Sequence, residues 1–315
     1  MPAMLATEDN RLLRAIAPLS KNSMKRLFLQ SALALLATAG FGLPSAAQAQ
    51  PAAVLRVSAI PDEAPTELQR KFKPLGDYLA QATGMQVQFT PVTDYAAVVE
   101  GLATNKIDLA WLGGFTFVQA RLRTDGKAVP IVQRAEDEVF TSKFIVPTDS
   151  KAKTLADLKG GTFAFGAPSS TSGSLMPRYF LMQDAAKINP ERDFKTVAYS
   201  GAHDATVAFV AAGRADAGVL NASVWEKLVE ANNPNAAKVR VLATTPTYYD
   251  YNWTVRPGLD AATTKKLADA FLALDAANPQ HKEILALQRA TKFIPTKASN
   301  YDGIEAAGRS AGLIK

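Results

Sequence analysis

The sequence predicts an α/β protein built from two similar lobes, and three observations carry that reading. From about residue 55 onward, short apolar runs alternate with amphipathic stretches, the pattern of strands and helices packed in layers. The alternation starts afresh at Leu155. A stretch of the first half is also echoed in the second. Asp94-Tyr95-Ala96-Ala97-Val98-Val99 leads to Asn105-Lys106-Ile107-Asp108-Leu109-Ala110 and then Gly113-Gly114-Phe115. His203-Asp204-Ala205-Thr206-Val207-Ala208 leads to Gly213-Arg214-Ala215-Asp216-Ala217-Gly218 and then Asn221-Ala222-Ser223. Each copy reads as a helix, a tight turn, a strand with Asp near its start, and a small-residue loop into another helix.

The elements follow in order. A strand is predicted over 55–60, then a helix over 68–82 with Leu68, Phe72, Leu75 and Leu79 on one face. Strands over 87–92 and 107–112 flank a helix over 95–103, and 129–134 and 143–146 read as further strands. The second half repeats the plan, with strands over 162–166, 196–199, 217–220 and 239–243 and a helix over 174–186. Beyond Pro257 the chain reads as mainly helical, over 263–274, 282–291 and 301–312.

The N-terminus reads as an export signal. Met24-Lys25-Arg26 precedes an apolar run over 27–43, and Ala47-Gln48-Ala49 supplies a small-x-small cleavage site before Gln50. Residues 1–23 add nothing to that signal, so translation starts at Met1 or at Met24. The apolar run is broken by Gln30, Ser31 and Thr38 and falls short of the roughly 20 residues that span a bilayer. The chain has no cysteine, which removes disulfides, thiolate catalysis, cysteine metal sites and a lipid-modified cysteine anchor. A soluble, monomeric periplasmic protein without cofactor is expected. The formal charge of +6 is inflated by Arg11, Arg14, Lys21, Lys25 and Arg26 of the leader, and no Lys/Arg block remains to bind nucleic acid.

The most informative segment is Ser169-Ser170-Thr171-Ser172-Gly173, between a predicted strand and a predicted helix. One Ser or Thr suffices to cap a helix. Four consecutive hydroxyl residues and a glycine exceed that need and suit an anion, which unpaired N–H groups and the helix dipole favour. In open α/β sheets ligands lie beyond the carboxyl ends of strands, so the Gly113, Ser170 and Asn221 loops are expected around one cleft. Two lobes about a cleft suit hinge closure.

Catalysis has little support. Histidine occurs only at His203 and His281, and no nucleophile-elbow, phosphate-loop or metal-ligand spacing appears. Ser170 or Ser172 with His203 would act as nucleophile and base only if geometry joined them. His203 starts a helix and is either a residue beside the cap or a donor to the anion. Asp204 suits the helix dipole there, or faces the cleft and selects a ligand bearing a proton or ammonium group. Among the aromatics, Trp111, Phe117 and Trp253 read as core. Tyr95, Tyr248, Tyr249 and Tyr251 are cleft candidates, because a phenol both packs and donates.

Taken together, Asp94-Tyr95 through Asp108-Leu109-Ala110-Trp111, Ser170-Thr171-Ser172-Gly173 with Pro177, and His203-Asp204 ahead of Asp216 resemble the PhnD-type periplasmic binding proteins. These are the substrate-binding components of phosphonate, phosphite and related oxyanion ABC transporters. Ile60-Pro61-Asp62-Glu63-Ala64-Pro65 and Gly201-Ala202-His203-Asp204 look most like the branch named for selenate transport. The resemblance implies a type II periplasmic-binding fold in which two strands join the lobes as a hinge, with crossings near Val146 and Ala243. Lobe 1 would then hold 50–146 and 244–315, and lobe 2 would hold 147–243. Ser170, Thr171 and Ser172 would grip a tetrahedral anion, with Tyr95 and His203 on either side. Discrimination among oxyanions is expected from the opposite wall, through Tyr95, His203, Asp204 and the Tyr248 to Asn252 loop with Tyr249 and Asp250. Asn221 is expected to face the same cleft. Two departures, Leu112 in place of a tyrosine and Asp204 in place of a glutamate, weaken the case for an aminoalkyl phosphonate. The partner implied is an ABC permease. An alternative is a receptor for a membrane sensor kinase, and a more distant one is a serine hydrolase.

Overall fold

The computed structural model describes residues 53–185 and 187–315. The expected signal peptide and its cleavage site lie outside the described residues. The first lobe runs β1 (Val54–Ala59), α1 (Pro65–Thr83), β2 (Gln86–Phe89), α2 (Tyr95–Ala103), β3 (Leu109–Leu112), α3 (Gly114–Arg123) and β4 (Val129–Arg134). The second lobe holds β5 (Ser142–Pro147), β6 (Thr162–Phe165), α4 (Met176–Gln183), α5 (Pro190–Asp193) and β7 (Thr196–Tyr199). It continues through α6 (His203–Ala211), β8 (Ala217–Asn221), α7 (Ala222–Glu230) and β9 (Val239–Thr244). The chain then returns to the first lobe as β10 (Asn252–Val255), α8 (Ala261–Leu272), α9 (Pro279–Gln288), β11 (Phe293–Pro295) and α10 (Asp302–Ser310).

Each lobe is built on a mixed sheet, ordered β11-β4-β10-β3-β1-β2 in the first and β7-β6-β8-β5-β9 in the second. The predicted strands of the repeated halves form, and the central strands β3, β5, β6 and β8 are buried on both faces, while the edge strands β2 and β7 are half-exposed. In the second sheet Phe144, Val146, Phe163, Phe165 and Val219 pack on one face. Their neighbours Ile145, Ala164 and Leu220 pack on the other, as the two-residue strand period requires. In the first lobe Leu68, Phe72, Leu75 and Leu79 of α1 enter a core that holds Trp111, Trp253, Phe117 and Phe271. Two strands were not anticipated. β10 is hidden in an aromatic run, and β11 is a three-residue edge strand ending in Pro295, where a missing N–H is harmless.

The repeat seen in the sequence is physical. Asp108 at the start of the β3 unit accepts the N–H of Arg56 on the parallel neighbour β1 at 2.9 Å. Asp216 accepts the N–H of Thr162 on β6, the parallel neighbour of β8, at 2.7 Å. Both aspartates therefore pin a parallel strand at the same place in their unit.

The chain passes between lobes twice. The expected first crossing near Val146 comes too late. β5 pairs with β8 and β9, so residues 142–147 belong to the second sheet and the passage lies over 135–141. The return lies over 245–251, just after the expected Ala243. The two passages pair with one another. Phe140 N–H donates to Tyr248 O at 2.9 Å, and Tyr248 N–H donates back to Phe140 O at 3.0 Å. That ladder is the two-strand hinge. Among the described residues no helix is long and apolar enough to cross a membrane.

Candidate functional site

The parallel strands of both lobes end at the same cleft. Asp62 follows β1, Tyr95 follows β2, Gly113 follows β3, the serine turn follows β6, His203 follows β7 and Asn221 closes β8. Helices α2, α3, α6 and α7 begin there, so their positive dipole ends converge. The serine turn is not a plain α-helical start. Ser170 caps a π-helical turn, Thr171–Leu175, with its Oγ accepting Gly173 N–H at 3.0 Å. Gly173 must be small, since a Cβ there would sit 3.0 Å from both His203 Cε1 and Ser170 Oγ. Downstream, Leu175 and Met176 are buried in the core of the first lobe, so the turn is held from both sides of the cleft.

The first lobe meets the turn with bare backbone. Phe115 N–H donates to Thr171 Oγ1 at 2.9 Å, and Gly114 N–H donates to Asp250 Oδ1 at 3.1 Å. The Thr171 and Ser172 hydroxyls lie beside the Asp250 carboxyl, which burial pushes up to about 7. Ser172 is also held through its backbone, its carbonyl accepting Ser142 Oγ–H at 2.7 Å, while that Oγ lies 2.5 Å from Tyr248 Oη.

His203 is buried and neutral, its pKa lowered to about 4 by loss of solvent. Its Nδ1 accepts Asn221 N–H at 3.3 Å, which puts the ring proton on Nε2, 3.4 Å from Tyr251 Oη. The imidazole is thus a donor into the cleft. Tyr251 Oη also accepts Asn221 Nδ2 at 2.8 Å and lies beside Asp62. Asn221 does two jobs, since its Oδ1 caps α7 through Val224 N–H at 2.6 Å.

The buried polar atoms here without a hydrogen bond include Asp62 Oδ1, Tyr95 Oη and Asp250 Oδ2, as well as Ser174 Oγ of the turn itself. Buried atoms of this kind are costly unless something else satisfies them. Tyr95 lies close to Ser170, and burial raises its pKa well above the ordinary phenol range. Two carboxyl oxygens and a phenol, facing hydroxyls and an imidazole N–H, suit a small ligand that both accepts and donates.

Of the residues expected from sequence, Tyr95, Ser170, Thr171, Ser172, His203, Asn221 and Asp250 are buried together around this point. Two others stand apart. Asp204 Oδ1 accepts Ala205 N–H at 2.8 Å and Oδ2 accepts Ala64 N–H at 3.1 Å; its residue lines the outer groove of about 1010 Å³. Tyr249 packs its ring on Tyr301, 6.2 Å between centroids, because its neighbours Tyr248 and Asp250 take the inward positions. Sequence reasoning missed Asp62, Tyr251 as a partner of His203, and the Gly114 and Phe115 amides. Asp62 had a signal available, an acid just past a strand in the Ile60 to Pro65 stretch.

The comparisons agree with one another. Residues 57–301 match the family model described as the periplasmic substrate-binding protein of phosphonate ABC transporters. The chain is 38% identical over 272 residues to the protein of Prochlorococcus marinus named "Probable ABC transporter phosphite binding protein PhnD1", covering 83% of this chain and 91% of that one. The PhnD1 structure from that organism in complex with methylphosphonate superposes with a TM-score of 0.79 at 37% identity, over 83% of this chain and 99% of that one. A binding component of a phosphonate ABC transporter from Pseudomonas aeruginosa gives 0.76 at 25% identity, over 83% and 87%.

Proposed function

From the premise that this chain belongs to the periplasmic substrate-binding proteins of phosphonate ABC transporters, which are not enzymes, we propose that it closes on a small proton-bearing tetrahedral oxyanion of the phosphonate or phosphite class. It then delivers that anion to the transporter's permease. The observation that carries the choice of ligand is Asp250, whose buried Oδ2 is unpartnered beside Thr171 and Ser172. Ser170, Thr171 and Ser172 grip the anion oxygens, and Tyr95 Oη and His203 Nε2–H donate from the sides. Asn221 acts one step back, by holding Tyr251 in place.

Asp250 makes the site count protons. A carboxylate facing an anion oxygen is repulsive unless one proton lies between them. A phosphate-like oxyanion, whose second pKa is about 6, is itself able to carry that proton. Selenate and sulfate carry none, so the proton must stay on Asp250, whose pKa is about 7. The site therefore favours phosphonate or phosphite, which share the proton with Asp250, over selenate, and binding of either class weakens as pH rises above 7.

A thermal-shift series with methylphosphonate, phosphite, phosphate, sulfate and selenate tests this. A ligand at 100 times its Kd adds about 2.7 kcal/mol of stability. The reading predicts the largest shifts for the first three, and losses of about 1–3 kcal/mol in binding for Thr171→Ala and for Ser172→Ala. A dominant response to sulfate or selenate at pH 8 would sink it.

A further inference from the structure

Three successive residues of the first lobe each meet the second. Asp62 O accepts His203 N–H at 2.9 Å, the Glu63 carboxylate pairs with Lys227, and Ala64 N–H donates to Asp204 Oδ2 at 3.1 Å. Lys227 Nζ also reaches Glu67 at 2.8 Å. Farther round α7 the charges are reversed: Arg289 of the first lobe lies 2.9 Å from Glu230 and 3.7 Å from Glu226. None of these side chains is hydrogen-bonded to the serine turn.

Two details separate this from ordinary surface pairing. Glu63 is only 6% exposed, so its pair with Lys227 is shielded from water. Arg289 is the C-cap of α9 with φ +51°, a left-handed position where glycine is the usual residue. An arginine there carries backbone strain, yet its guanidinium spans the gap to α7.

We propose that α7 is a two-point clasp, with Lys227 on Glu63 and Glu67 at one point and Arg289 on Glu230 and Glu226 at the other. It holds the lobes together remote from the anion and sets how long the anion stays. Asp204 belongs to this clasp. Opening must break both points, whereas encounter of the anion with an open cleft needs neither. The clasp therefore acts on release, and its Coulombic part weakens with salt. Lys227 and Arg289 are positioning residues, since neither touches the anion.

The release test rests on the proposed function; a second measurement does not. Protein loaded with radiolabelled phosphite is chased with unlabelled phosphite and sampled by rapid filtration. Lys227→Met should raise koff about fivefold to twentyfold with kon changed less than about twofold. Lys227→Arg should restore most of the wild-type residence time. Raising NaCl from about 50 to about 500 mM should speed wild-type release, chiefly through the exposed Arg289 pairs, and leave Lys227→Met with Arg289→Met nearly unchanged. Equal koff in wild type and Lys227→Met, or an equal salt response in wild type and the double variant, would overturn the clasp. If phosphite binds neither protein, the proposed ligand is wrong and small-angle scattering of the ligand-free proteins decides. Lys227→Met with Arg289→Met should then have a larger radius of gyration than wild type, and identical profiles would refute the clasp.

Discussion

The α2–β3–α3 unit of the first lobe and the α6–β8–α7 unit of the second have the same plan and opposite chemistry. Both carry an aspartate that pins a neighbouring strand, and both send a loop from a parallel strand into a helix at the cleft. In the first lobe that loop is Gly113-Gly114, and the Gly114 and Phe115 amides receive Asp250 and Thr171. In the second it is Asn221-Ala222, where a side chain caps its own helix and reaches across to Tyr251. One loop works by having no side chain and the other by having the right one. The comparison teaches that a repeated scaffold yields a two-sided site only when its copies diverge at the loop.

The sharpest way to break that contrast is Gly113→Ala. Gly113 sits at φ −78°, ψ 165°, which any residue tolerates, so the first lobe itself is unstrained. A Cβ would nevertheless lie 2.8 Å from Thr171 Oγ1 and 3.2 Å from Asp250 Oδ1. Overpacking of this kind costs about 1–3 kcal/mol, and its shorter contact, to Thr171 of the second lobe, arises only in the closed arrangement. Phosphite or methylphosphonate affinity, read by calorimetry, should drop by one to two orders of magnitude while each lobe stays folded. Asn221→Ala tests the other loop and should act on the fold as well as the site. Loss of the cap costs about 1–2 kcal/mol, visible in denaturant unfolding without ligand, and Tyr251 loses a donor.

The smallest effect is in the pH dependence, where Asp250 of the return passage and His203 of the second lobe pull in opposite directions. Burial raises Asp250 to about 7 in the fold, so its contribution to stability is intact below the ordinary carboxylate pKa of 3.8 and is lost as pH rises through 7. Burial lowers His203 to about 4, so its contribution is present above 6.5 and is lost as pH falls through 4. Thermal unfolding of the ligand-free protein should show wild type losing ground to Asp250→Asn between pH 4 and 8. It should lose ground to His203→Gln between pH 6.5 and 4. A Tm gap independent of pH in either variant would mean that its group does not titrate as described.

Much of this was legible in the chain. The alternation of strands and helices, the repeated unit with Asp108 and Asp216, and the serine turn are local patterns, and local patterns survive without tertiary information. The opposite wall was harder to read. Asp250 was named from an aromatic-rich stretch, but Tyr249 beside it was named too, because nothing in Tyr248-Tyr249-Asp250-Tyr251 says which residues turn inward before β10 begins. Asp62 and the Gly114 and Phe115 amides gain meaning only when the hinge brings the lobes together. The sequence leaves Asp204 open between the helix dipole and the cleft; its carboxylate accepts the amide of Ala64, 140 residues away. The crossing near Val146 was misplaced because β5 is apolar enough for either sheet, and only its pairing with β8 and β9 assigns it.

The corner formed by Tyr251 has an optical consequence. Trp111 stacks on it with ring centroids 4.9 Å apart and planes 10° from parallel, and the Arg134 guanidinium lies 5.2 Å from the Trp111 ring and 5.1 Å from the Tyr251 ring. Of the other two tryptophans, Trp225 lies on α7 and Trp253 is buried deeper in the first lobe. On the proposed function, an anion beside His203 would change the electric field at one edge of this indole–phenol stack, and closure would change what lies against it. Trp111 would then serve as a built-in fluorophore, its emission following filling and emptying without any attached dye.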